Sequence, residues 1–161
     1  MYSKGRLFLK FINYWVIASN GKGHGTHSPF VFDFIIHVLN NCKNDSHPLK
    51  ITVPSFGLQQ ELKYRRLIAR ISSYYAEYDL RLFSLFPLSD NVFSNSGKIF
   101  EATSEKNIHL ITGIRVSENA EKKWREIKKN EKVTCSIDLF FVGILFFKKD
   151  FKEKLDLMIR F

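Results

Sequence analysis

The sequence predicts an α/β fold, built as one domain with a helical N-terminal arm. Three observations lead there. Apolar residues recur at helical spacing through the first half of the chain, and strand-length apolar runs dominate the second half. The 161 residues are 45% hydrophobic and include 16 Phe, enough apolar surface for one core.

The elements follow in order. Phe8, Phe11, Ile12 and Trp15 share helical spacing, and Gly21, Gly23 and Gly25 end that segment. Ser28 is placed to cap a second helix with Pro29 in its first turn. Val31, Phe34, Ile35, Val38 and Leu39 give this helix one apolar face. The third helix is the most regular, with Tyr64, Leu67, Ile68, Ile71, Tyr74 and Tyr75 on one side and Lys63, Arg66 and Arg70 on the other. Strands are predicted over 80–86 and 108–112. Ser117 caps a helix that turns Ala120, Trp124 and Ile127 inward and Lys122, Lys123, Lys128 and Lys129 to water. Strands over 133–139, 142–147 and 155–161 complete the chain. This divides the single domain 1–161 into a helical arm, 1–57, and an α/β core, 58–161.

Twenty-five Lys and Arg against sixteen Asp and Glu give a net charge of +9, which favours anionic partners. The basic residues are spread along the whole chain, whereas a nucleic-acid binder concentrates them on one face. Cys42 and Cys135 form no CxxC motif, and their number and spacing suggest neither a disulfide framework nor a zinc site. Reduced thiols in a cytoplasmic protein are the expectation. Lys10 interrupts the apolar run near the N-terminus, so neither a signal peptide nor a transmembrane segment is expected.

Two blocks resemble a group of bacterial class I S-adenosylmethionine-dependent methyltransferases. The first is His24-Gly25-Thr26-His27-Ser28-Pro29-Phe30-Val31-Phe32, similar to an HGxHSPFVF block near the N-termini of those enzymes. The second includes Val133-Thr134-Cys135-Ser136-Ile137-Asp138-Leu139-Phe140, then Val142-Gly143-Ile144-Leu145-Phe146-Phe147, and ends at Ile159-Arg160-Phe161. Leu67 to Ile71 with Tyr74-Tyr75 resemble the helix preceding their first sheet strand. About half the chain is covered. The resemblance implies a reduced Rossmann-like sheet closed by an antiparallel hairpin from 133–139 and 142–147. It also implies S-adenosylmethionine as cofactor wherever the ancestral function is retained, with His24, Gly25, His27 and Ser28 as the candidate cofactor-binding residues.

The departures point the other way. Where those enzymes place a glycine-rich turn after the first strand, this chain has Pro87-Leu88-Ser89-Asp90-Asn91, and no glycine before Gly97. Side chains there block close backbone approach to a ligand, and Pro87 removes a donor. The stretch between Phe86 and Ile108 is too short for the usual middle strands with their helices. Thr112-Gly113 offers no carboxylate where metal-using relatives carry aspartates. The leading expectation is therefore a non-catalytic methyltransferase-like domain with no catalytic residue and no cofactor, acting by protein interaction or dimerisation. One alternative is a methyltransferase with an altered cofactor loop over 87–95. Another is a small basic nucleic-acid-binding module using Lys63, Arg66 and Arg70.

Other constellations read as structural. His24, His27 and His37 lack a Cys or carboxylate at ligand spacing, so no metal is expected. Ser28 has no nucleophile-elbow context, and the spacing of Gly21, Gly23 and Gly25 fits no phosphate loop. Asp138 lies in an apolar strand and needs a buried partner, for which Arg115, Arg125 and Arg160 are the candidates. The first helix, with Lys4, Arg6 and Lys10 beside its apolar residues, suits core packing, a dimer contact or a membrane surface.

Overall fold

A computed structural model describes residues 1–19, 28–41, 51–85, 99–101 and 103–161. Within them lie four α-helices and one mixed five-stranded sheet. Helix α1 spans Lys4–Ile17 and begins where the Ser3 hydroxyl accepts the Arg6 amide. Helix α2, Pro29–Phe34, runs into a π-helical turn, Ile35–Leu39. Helix α3 spans Leu58–Tyr74 and α4 spans Glu118–Lys129. The strands are β1 (Asp79–Ser84), β2 (Asn107–Thr112), β3 (Cys135–Asp138), β4 (Val142–Phe146) and β5 (Leu155–Met158).

The spatial order is β1-β2-β4-β3-β5. β1 pairs with β2 and β3 with β5 in parallel, while β4 runs antiparallel to both β2 and β3. Four strands therefore point one way with β4 reversed among them. β2, β3 and β4 occupy the interior of the sheet, and every residue in them is buried. Both of their faces are covered, which is why their sequences are continuous apolar runs with little alternation.

The two faces carry different helices. Ile108 and Leu110 of β2 and Val142, Ile144 and Phe146 of β4 join the core containing Val31, Phe34, Tyr64, Leu67 and Ile71 from α2 and α3. The alternate residues Ile111 and Leu145 join Trp124 and Ile127 of α4 on the other side. Gly143 permits this packing, because a Cβ there would lie 2.5 Å from the Trp124 ring. Ser117 caps α4 as its sequence predicts, its hydroxyl accepting the Ala120 amide at 3.1 Å.

The turn between β3 and β4 is tight. Phe140 takes a left-handed conformation at φ 72°, and its amide donates to the Asp138 carboxylate at 2.9 Å. A bulky residue in that region carries strain of about 1–3 kcal/mol. The fully buried Phe140 ring, 5.0 Å from Phe11 and 4.7 Å from Phe141, holds it there.

Several expectations change. Four strands are shorter than predicted, β1 ending at Ser84 and β5 at Met158, while β2 begins one residue earlier, at Asn107. Ser28 stands at the start of α2 but makes no side-chain capping bond. Tyr74 is exposed, whereas Tyr64, Leu67, Ile68, Ile71 and Tyr75 are buried. On α1, Phe8, Ile12 and Trp15 face outward, Phe11 packs against the core beside Leu7, and the buried residue is Tyr14, whose hydroxyl reaches strand-end carbonyls.

Candidate functional site

In open sheets with parallel strands, ligands bind beyond the carboxyl ends of the strands. Here β2, β3 and β5 end at Thr112, Asp138 and Met158, and α1 lies across that edge. The Tyr14 hydroxyl donates toward the carbonyls of Asp138, at 3.1 Å, and Ile159. The Tyr2 amide reaches the Val116 carbonyl at 2.8 Å, Ser19 bridges to Ile159, and Lys10 pairs with Glu121 in the first turn of α4 at 2.9 Å. Tyr14 has no competing solvent, so burial raises its hydroxyl pKa far above the ordinary value, with the Asp138 charge adding to the effect. It remains a neutral donor.

Asp138 is the hub beneath α1. It is 1% exposed, and its carboxylate accepts from Arg115 at 2.7 Å, from the Trp124 indole at 3.1 Å and from the Phe140 amide. Of the three arginines considered as partners, Arg115 fills the role. Its guanidinium also lies 5.5 Å from the Tyr14 ring centre and 5.7 Å from that of Phe140. Arg160 instead covers Trp15 at 4.4 Å, and Arg125 lines an open basic hollow with Lys128, Lys129 and Lys154. The Tyr64 hydroxyl, donating to the Leu139 carbonyl at 2.6 Å, ties α3 to the same turn.

The outward side of α1 is of a different character. Phe8, Leu9, Ile12, Trp15, Val16 and Ile17 are all more than two-fifths exposed. Phe8, Leu9, Ile12, Trp15 and Val16 fall on one stripe by helical spacing. Phe56 and Leu58 are also exposed, and Phe56 lies 6.1 Å from Phe8.

The residues singled out from sequence fare unevenly. His24, Gly25 and His27, the glycines at 21 and 23, Cys42 and the turn 87–95 lie outside the described residues. Lys63 and Arg66 are exposed, with Lys63 placed 4.3 Å over the Phe161 ring. Arg70 is buried and donates to the carbonyls of Leu39 and Asn41 at 3.0 and 3.2 Å. The three cations expected on one nucleic-acid-facing side therefore do not share a solvent-exposed cluster. His37 stacks on Tyr74 beside Asp33, whose carboxylate accepts the Tyr74 hydroxyl at 2.7 Å. Among the described residues no three His, Cys, Asp or Glu side chains converge. Cys135 is a buried free thiol whose pKa burial pushes up to about 12.

Sequence reasoning did not single out Tyr14, Leu9 or Val16. The hydroxyl of Tyr14 was the available signal, since a buried tyrosine seeks a hydrogen-bond partner. Nothing in the linear pattern showed which side of α1 meets the sheet. No family model, curated protein or solved structure matches the chain. Among the described residues, no helix is long and apolar enough to cross a membrane.

Proposed function

We propose that the chain is a non-catalytic, methyltransferase-like domain that works by association through the outer side of α1. One observation carries this reading. The helix that closes the strand ends on its inner side leaves an apolar stripe exposed on its outer side. Exposed apolar patches of several hundred Å² mark interaction sites.

The reduced Rossmann-like ancestry rests on the two sequence blocks. The antiparallel pairing of β3 with β4 fits the hairpin that the resemblance implies. The end of β3 leaves little room for a ligand. Asp138 already accepts from three donors, and Tyr14, Phe11 and Phe140 occupy the space beside it. Calorimetric titration with S-adenosylmethionine into the millimolar range is the test. The reading predicts no saturable heat, whereas one-site binding returns the protein to the transferases.

A further inference from the structure

We infer that the outer face of α1 docks on an anionic lipid bilayer surface. The inference rests on the association reading above and names its partner. Phe8, Leu9, Ile12, Trp15 and Val16 form the stripe. With about 150–250 Å² for each aromatic side chain, their exposed surface is on the order of 500 Å². That is at the upper end for the largest patch on an ordinary monomer, about 300–600 Å².

The charges decide between occupants. Residues 1–19 contain Lys4, Arg6 and Lys10 and no acidic residue, and the first acid in the chain is Asp33. Lys10 is held inward by Glu121. Lys4 precedes Phe8 by one helical turn and borders the stripe, and the exposed Arg6 lies on the flank beyond Leu9, its guanidinium 4.7 Å from the Tyr2 ring centre. Arg160 adds a third cation, seated over Trp15 at 4.4 Å.

An apolar stripe with a basic rim, an interfacial tryptophan and no acid is the composition of a helix lying in a headgroup layer. A second copy of the chain would bring the same basic rim against itself, with +9 on each partner. An anionic bilayer accepts both features, the stripe in its acyl boundary and the cations at its phosphates. The inner side of α1 stays bonded to the strand ends, so the helix need not leave the fold to dock.

The test uses the full chain with phosphatidylcholine vesicles, with and without phosphatidylglycerol. Co-sedimentation measures binding, and the shift of tryptophan emission on adding vesicles reports on Trp15, because Trp124 is already buried at 2% exposure. Binding to the phosphatidylglycerol vesicles with a blue shift is expected, weakening as salt rises. Leu9→Ser with Ile12→Ser should lower partitioning about tenfold or more through lost apolar burial, with an unchanged melting temperature. Lys4→Glu with Arg6→Glu should abolish the preference for anionic vesicles.

No vesicle binding, or equal binding to phosphatidylcholine alone, would overturn the inference. So would a lipid-free dimer that dissociates on Leu9→Ser with Ile12→Ser, which would assign the face to a second copy. Failure on vesicles without S-adenosylmethionine binding leaves the non-catalytic reading standing, whereas cofactor binding overturns that reading whatever the vesicles show.

Discussion

Replacing Asp138 with alanine removes the acceptor on which three elements converge. Arg115 from the loop before α4, Trp124 from α4 and the strained Phe140 amide each donate to this carboxylate. Arg115 is 19% exposed and Trp124 only 2%, so water replaces little of what is lost. Breaking a buried pair by removing one partner costs about 3–5 kcal/mol. In a chain of this size, each kcal/mol lowers the melting temperature by roughly 2–4 °C, so a fall of roughly 10 °C is expected. Asp138→Asn keeps an acceptor but loses the charge facing Arg115, and should fall between wild type and Asp138→Ala. Trp124→Phe in the same backgrounds isolates the indole contribution as a double-mutant cycle. Urea unfolding followed by circular dichroism reads all of these. A loss below about 1 kcal/mol for Asp138→Ala, the net worth of one ordinary hydrogen bond, would refute the claim that Asp138 organises this edge.

Three further outcomes follow from named contacts. Gly143→Ala should destabilise by about 1–3 kcal/mol, since its methyl group enters the Trp124 ring and overpacks that face; chemical denaturation measures it. Tyr14→Phe should cost about 1–2 kcal/mol by taking the hydroxyl donor from the Ile159 carbonyl, while the Asp138 carbonyl keeps the Ile159 amide at 3.0 Å, read as a lower unfolding midpoint. Burial between Phe83 and Phe147, with Arg81 adding repulsion, pushes the His109 imidazole down to about 4, so the folded chain resists a proton that the unfolded chain accepts near pH 6.5. The His109 contribution to stability should be intact above pH 6.5 and fall by roughly 3 kcal/mol toward pH 4, at roughly 1.4 kcal/mol per pH unit. His109→Gln should remove that part of the slope.

The core of the fold was legible because its signals are local. Ser117 caps α4 and turns Trp124 inward from sequence pattern alone, and the apolar run around Gly143 reads as a buried strand. Asp138 announced itself as a charge in an apolar strand, and Arg115 was among its three named partners. The pairing of β4 between β2 and β3 was less accessible, since strand order depends on contacts distant in sequence. The direction of α1 was misleading for a physical reason. Phe8, Ile12 and Trp15 are the exposed side, while Leu7, Phe11 and the hydrogen-bonded Tyr14 meet the core. Arg70 was placed with Lys63 and Arg66 by helical spacing, yet nearby backbone carbonyls draw its guanidinium inward.

Hydrogen exchange with and without millimolar S-adenosylmethionine tests the central claim most directly, on peptides covering α1, 107–117 and 135–142. With α1 seated on the strand ends, the amides around Tyr14 should exchange slowly, and cofactor should leave every peptide unchanged. Rapid exchange through α1, together with cofactor-dependent slowing at 113–117 and 138–142, would show that the helix is a lid over a working site and would contradict the account.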